Sequence, residues 1–502
     1  MITCTKNIKN IGCKLLKVGG SVMINRIKEK WKNVPITVKV STAYTVCSIL
    51  QKCLSFITLP LFTRLLTTEE YGQYTIYSSW AGILMIFLTL NLAYGSFQTA
   101  MVKFENKRAE YINSIQGICV LLSICFLIIY LPLKKYWNML FELPTFFVLL
   151  MLSEIIFTTS TQLWMGKKRF EFKYKAVIAV TLLTSILSPL LAYILVSLSE
   201  EKGYARIIGY SLINILVGLI IFIFNAKKGK KFYNKEFWKY AFGFNIPLLA
   251  YYISQVIFNQ SDRIMISHLI GTSEAAMYGV AYNLAMILTF VLNAINNSYV
   301  PWVYEKIKDN HGEENKSISL ILVVLMGLMI LCVIWYAPEI ITVMAGEKYS
   351  SAVYVVAPVS MSLLLLLYCQ FFINIEFYYE EKKLLIYASI GAAIINIVLN
   401  YFFIPVFGFV AAGYTTLISY IVFAISNYWS MKRCLVSKNI PNNLYDYKSL
   451  LIILLLFMIS GFLGVFLYDY LIIRIIITLI VFVVMLIYKR RFIETIKQLK
   501  ER

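Results

Sequence analysis

Long apolar runs of about twenty residues, separated by short polar turns, fill this chain and dictate its fold class. Residues 40–62 typify them: one charge, Lys52, sits near the middle, and Arg64 follows just beyond the end. A helix of about 20 apolar residues crosses a hydrocarbon core of roughly 30 Å. Lipid offers no partner to a backbone N–H or C=O, so only helices and closed barrels span it. Barrel strands alternate apolar and polar residues over about ten positions. These runs are continuous and twice as long, which predicts an all-α polytopic membrane protein. Composition agrees, with 60% hydrophobic and 15% charged residues, against about a quarter charged in soluble domains.

The pattern predicts 14 spans, near 40–62, 73–98, 111–131, 144–165, 175–197, 205–225, 237–261, 277–300, 317–336, 353–377, 384–404, 408–430, 448–468 and 470–488. The short gaps at 405–407 and near Asp469 leave a re-entrant pair open as an alternative. Of the 47 Lys and Arg residues, 38 fall on the side of the N-terminus if the spans alternate. Seven fall on the other side: Arg64, Lys134, Lys135, Lys202, Arg206, Arg263 and Lys348; Lys52 and Arg474 lie within spans. The positive-inside rule then puts both termini on the cytoplasmic side. The net charge of +21 is dispersed between apolar runs, which argues against nucleic acid as a partner. Residues 1–39 read as a basic cytoplasmic leader without the apolar core of a signal peptide, and Met23 stands as an alternative start. Loops no longer than about twenty residues leave no room for a soluble catalytic domain, and no Gly-rich phosphate loop appears. The chain therefore reads as a non-enzyme. Nine Cys and two His show no metal-ligand spacing, so no metal or cofactor is expected. Cys47, Cys53, Cys119, Cys125, Cys332 and Cys369 are expected as small core residues.

Two stretches share a layout. Glu70 and Tyr74 align with Glu274 and Tyr278 at an offset of 204 residues, each pair shortly after an Arg that ends a span, Arg64 and Arg263. An even number of spans separates them, so the repeat is parallel, about an axis along the membrane normal. This divides the chain into a leader (1–39), an N-lobe of helices 1–6 (40–230), a C-lobe of helices 7–12 (231–445) and helices 13–14 with a basic tail (446–502). Two such six-helix lobes can rock about a central cleft.

Three motifs carry a family resemblance. PLFTRLLTTEEYGQY (60–74), followed by LNLAYG (90–95), resembles the opening of bacterial polysaccharide flippases of the multidrug/oligosaccharidyl-lipid/polysaccharide exporter superfamily. SDRIMISHLIGTSEAAMYGVAY (261–282) resembles the start of that family's second lobe, and LNYFFIPVFGFVAAGYTTLISY (399–420) resembles its late Asn, Ile-Pro, Gly and Ala-Ala-Gly segment. Ala276-Met277 departs from the Gly common there, which loosens a turn. The resemblance implies a flippase that moves an undecaprenyl-diphosphate-linked oligosaccharide from the inner to the outer leaflet, beside other glycan-assembly membrane proteins. Capsule, exopolysaccharide or O-antigen assembly needs that step. A multidrug or small-solute exporter of the same superfamily, a glycan polymerase or ligase, and an uncoupled scramblase are the competing readings.

A diphosphate cannot cross lipid without compensating cations, and a cation inside a span usually faces the bundle interior. Lys52 is the deepest and the first candidate for the diphosphate; pairing with Glu154 is the alternative. Arg64 and Arg263 are candidates for holding it in the outward state; Asp262 beside Arg263 reads as a structural partner, a lobe-closing contact or, with Glu154 and Glu376, a coupling carboxylate. Arg474 reads as a lipid-interface anchor or part of a groove for the lipid tail. Glu154 and Glu376 are the buried acids, read as coupling sites for H⁺ or Na⁺ or as structural groups; Glu376 lies near Glu380 and Glu381. Tyr251, Tyr252 and Tyr282 are possible sugar platforms, and Pro189, Pro247 and Pro358 possible bends.

Overall fold

Helix-forming signals recur at the polar turns. Thr67 accepts a hydrogen bond from Glu70 N, and the Glu70 carboxylate accepts one from Thr67 N, a full capping box that starts the second helix. Asn234 caps another helix through Glu236 N and Phe237 N, and Asp446 caps a third through Ser449 N. The computed structural model describes residues 36–309, 311–379, 383–438, 440 and 443–487. Most of the leader, the basic tail, Glu380 and Glu381 lie outside the described residues.

The first half runs α1 (Ile36–Leu65), α2 (Thr68–Thr89), α3 (Gly95–Lys103), α4 (Arg108–Tyr130), α5 (Lys134–Phe141), α6 (Thr145–Phe170), α7 (Tyr174–Leu198) and α8 (Lys202–Gly229). The second half runs α9 (Lys235–Leu269), α10 (Thr272–Ala285), α11 (Leu288–Lys308), α12 (Asn315–Trp335), α13 (Ala337–Ala345), α14 (Val353–Tyr378), α15 (Lys383–Phe407) and α16 (Val410–Ser437). A last pair follows, α17 (Tyr447–Phe466) and α18 (Leu471–Ile487). Among the described residues, 12 segments are long and apolar enough to cross a bilayer. Adding α2, whose start is acidic, and the shorter α18 gives the fourteen crossings expected.

The expected helix over 73–98 is instead broken. Leu90 and Asn91 take left-handed backbone angles (φ 47° and 54°), and the chain restarts as α3. The gap placed at 405–407 falls too early: Pro405 stays inside α15, and Gly408, with φ 72°, makes the turn. The pair around Asp469 comprises two separate helices.

Packing gathers α1 to α8 around α8, and the second half around α14. The apolar window of the α14 span is 89% buried, whereas that of α1 is 11% buried, the loosest of the twelve. Gly209 lets α8 press on α7: a Cβ there would stand 2.3 Å from Ala192 Cα. One buried apolar cluster lies wholly in the second half. Another joins both halves, from Phe62, Leu66 and Tyr71 to Tyr278, Ile341 and Tyr349. Trp335 and Met361 pack against Gly464 and Gly461, so the last pair is attached to the second half. Of the cysteines expected in the core, Cys47, Cys119 and Cys369 are buried, but Cys53, Cys125 and Cys332 are exposed. Small apolar side chains are as cheap on a lipid-facing helix surface as in its core, which is why the pattern could not separate them.

Candidate functional site

The two halves meet most tightly where α1 ends, on the face opposite the N-terminus. There Gly72 of α2 abuts α10, with a built Cβ only 2.1 Å from the Thr272 carbonyl oxygen. Ser273 donates to Thr68 Oγ1 at 2.6 Å. Thr63 donates to Met344 O at 3.1 Å, Arg64 to Val343 O at 3.2 Å, and Lys348 to Leu66 O. Glu142, just after α5, accepts from Ser267 and faces His268 Nδ1 at 3.1 Å. Burial pushes the Glu142 carboxyl up, but the His268 and Ser267 hydrogen bonds and the imidazolium charge hold it below its ordinary range. The short helices α5 and α13 supply much of this seam.

Toward the other face, α1 carries its exposed polar residues. Ser48, Gln51, Lys52 and Ser55 recur at helical spacing and are all exposed, giving α1 one polar edge. The Lys52 ammonium lies 4.7 Å from the centre of the Phe290 ring on α11. That contact turns the polar edge of α1 toward the second half. Along residues 288–300 of α11, Phe290, Asn293, Ala294, Asn297 and Ser298 are exposed. Exposed polar side chains of both helices thus flank the Lys52 ammonium at the α1–α11 approach. No carboxylate reaches salt-bridge distance of Lys52 among the described residues, so the expected alternative pairing with Glu154 does not form.

Glu154 turns into the first half, accepting from Tyr77 Oη at 2.8 Å, Ser211 Oγ at 2.6 Å and Asn214 Nδ2 at 2.9 Å. Asp262 does the same in the second half, accepting from Tyr278 Oη at 2.5 Å, Asn400 Nδ2 at 2.6 Å and Thr416 Oγ1 at 2.7 Å. Each half thus holds one acid inside a hydroxyl and amide network. The Asp262–Arg263 pairing is corrected. Successive helical residues point about 100° apart, and Arg263 instead donates to Gln260 Oε1 at 3.0 Å and covers the Tyr282 ring at 4.5 Å. Arg64 therefore lies at the contact between halves, and Arg263 packs within the second half; neither is at the Lys52–Phe290 approach. Glu376 is buried in α14, 1% exposed.

Arg474 is neither an interface anchor nor a lipid groove. It is 2% exposed and binds both Glu339 oxygens, at 2.8 and 2.6 Å. It also donates to Trp335 O and Tyr468 O. Those bonds hold the Glu339 carboxyl below its ordinary range. This is a strut between α13 and α18.

Arg206 was counted among the outer flanking charges, yet it is buried, 5% exposed. Its guanidinium carbon sits 4.0 Å from the Tyr74 ring centre, 4.3 Å from Tyr71 and 4.6 Å from Phe62. Nothing in the local sequence gives this away. The signal is tertiary, since the cage comes from α1, α2 and α8.

Residues 38–306, more than half of the chain, match the family described as polysaccharide biosynthesis protein. The chain belongs to that family. Two relatives from Haemophilus influenzae fit the membership. One, described as an uncharacterized membrane protein, is 23% identical over 374 residues, covering 71% of this chain and 88% of the relative. The other, Lsg locus putative protein 1, is 24% identical over 375 residues, covering 72% and 89%. Among solved structures, an inward-facing multidrug resistance MATE family transporter of the MOP superfamily superposes with a TM-score of 0.61 at 13% identity, covering 80% of this chain and 99% of that one. The lipid II flippase MurJ in an inward closed conformation superposes at 0.60 with 17% identity, covering 90% and 99%. At these identities the likeness concerns fold. This polysaccharide biosynthesis family member is thus a multi-pass membrane protein with the fold of MOP superfamily transporters.

Proposed function

We propose that this protein flips an undecaprenyl-diphosphate-linked oligosaccharide from the cytoplasmic to the outer leaflet of a bacterial cell membrane, for capsule, exopolysaccharide or O-antigen assembly. The observation that carries the reading is the approach of α1 to α11, where Lys52, without an ion-pair partner among the described residues, sits beside exposed polar side chains of both helices. A diphosphate needs a cation to leave water, and a glycan needs amide and hydroxyl partners. Asn293, Asn297, Gln51 and the serines of α1 supply the second. The excess of Lys and Arg on the N-terminal side supports an orientation with Lys52 reached from the cytoplasm and the sealed seam outside. The protein would then rest ready to load. Rocking the halves opens the seam and closes the cleft.

Deleting the gene is expected to trap lipid-linked repeat units on the inner leaflet. Lys52→Ala is expected to reproduce that accumulation at normal membrane levels, with Lys52→Arg keeping partial export. Full export by Lys52→Ala would remove the cation from the mechanism. A polymerase or ligase would instead keep precursor reaching the outer leaflet when the gene is deleted.

A further inference from the structure

Arg206 carries a full charge into the joint between the halves with no counter-ion. Among the described residues no carboxylate lies within ion-pair distance of it. Its Nε and one terminal nitrogen, Nη1, are buried and lack any hydrogen-bond acceptor. Aromatic faces compensate part of the lost hydration, since a ring quadrupole attracts a cation. They accept no conventional hydrogen bonds, so the planar donor fork that suits a phosphate or carboxylate stays unused. A purely structural arginine normally ends on carbonyls or a carboxylate, as Arg474 does here.

The cage has a lid from the other half. Tyr349, in the 3₁₀ turn before α14, meets the Tyr71 ring edge-on at 6.0 Å and is fully buried. Its own hydroxyl is buried without a partner. The same turn holds Lys348, which donates to Leu66 O across the seam. Parting the halves therefore removes Tyr349 from above Tyr71 and breaks the strap beside it. Phe62, Tyr71 and Tyr74 stay with Arg206, because all belong to the first half.

We infer that Arg206 is a cryptic anion site, shut while the seam is closed and uncovered toward the outer face when the halves part, where it takes a phosphate group of the translocating lipid. The inference rests on the flippase reading and adds a second, state-dependent contact to it. Lys52 offers a cation on the loading side and Arg206 one on the release side. A phosphate passed between them meets a positive group at both ends of the path, and closing the seam expels it by restoring the aromatic lid.

The test uses the full chain in detergent micelles in the Lys52→Ala background, so the loading cation does not contribute. Farnesyl diphosphate and inorganic pyrophosphate are the probes. A Thr68→Cys/Ser273→Cys pair, whose parent hydroxyls lie 2.6 Å apart, locks the seam when oxidised. The reduced protein is expected to bind farnesyl diphosphate at least tenfold more tightly than the oxidised protein. Arg206→Gln should abolish that difference, and Arg206→Lys should keep part of it. Competition by pyrophosphate would assign the contact to the phosphates alone, and its failure would show that the isoprenoid tail contributes. If Arg206→Gln binds as tightly as its parent, or the lock has no effect, the inference is overturned. If Arg206→Gln and Arg206→Lys merely lower the melting temperature equally with binding unchanged, Arg206 is a structural pillar. Loss of export in Lys52→Ala beside normal binding in Arg206→Gln would leave the flippase standing and sink only this site.

Discussion

Single side chains in this protein divide by whether their charge is answered. The charge of Arg474 is answered: Glu339 accepts from both terminal nitrogens, and the Trp335 and Tyr468 carbonyls accept from them too, though its buried Nε has no partner. Removing one partner of such a pair strands the other, but Glu339 keeps 37% of its side chain in contact with solvent. The loss is discounted accordingly. Glu339→Gln is expected to cost about 1–2 kcal/mol of stability at neutral pH, below the roughly 3–5 kcal/mol typical of a fully buried pair. The pH dependence has a definite sign. The Arg474 bonds depress the Glu339 carboxyl, so its contribution is complete above the ordinary carboxyl value near pH 4.3 and fades as pH falls through the depressed one. Thermal unfolding of wild type and Glu339→Gln in the same detergent should therefore converge in acid and separate above about pH 5. Equal melting temperatures at neutral pH would deny the strut any role. Arg474 and Arg206 also show what sequence could not supply. Each is a lone Arg near a span end, where snorkelling is the ordinary fate. Glu339 lies 135 residues from Arg474, and the rings around Arg206 come from three helices, so neither partner set leaves a local pattern. Lys52 was legible because its own span is otherwise uncharged.

At the scale of elements, the seam depends on a backbone-to-backbone approach between α2 and α10. Gly72 makes it possible, since any Cβ there meets the Thr272 carbonyl at 2.1 Å. A larger side chain has to push the helices apart. Gly72→Val is expected to open the seam from its centre, leaving the capping box of Thr67 and Glu70 intact. A cysteine placed at Arg64, which bonds across the seam, should then react several-fold faster with a membrane-impermeant thiol reagent added outside. Unchanged labelling would mean that α10 yields without the halves parting. The spans themselves were legible because lipid imposes one rule on every residue of a run: no free backbone groups and few charges. The short helices α5 and α13 obey no such rule. Lys134 and Lys135 open α5, and Pro338 and Glu339 open α13, so both read as loops. They nevertheless carry the cross-seam bonds to Thr63, Arg64 and His268. The break at Leu90 and Asn91 was hidden for another reason: neither residue is a Gly or Pro, and tertiary packing overrode the local preference.

For the whole molecule, the proposed transport would turn on one joint between the halves. The halves are held by α2 on α10 and by α13 on the end of α1, while the middle of α1 carries little packing, 11% of its apolar window being buried. α1 packs along α7 and so stays with the first half, and on the proposed function its polar edge with Lys52 would load on one side without breaking the seam. Opening the seam is then the obligatory step, because the bonds from Thr63, Arg64, Ser273 and Lys348 all cross it. The oxidised Thr68→Cys/Ser273→Cys pair is expected to arrest export almost completely, with lipid-linked precursor accumulating inside, and reduction should restore it within one population of protein. Labelling of an Asn297→Cys reporter in the α1–α11 cleft should persist from the cytoplasmic side throughout, since the lock acts on the opposite face. Reversible arrest with a cleft that stays open requires alternating access through this joint. Export that continues through the oxidised lock would place the path elsewhere, along the lipid-facing side of α1 rather than between the halves.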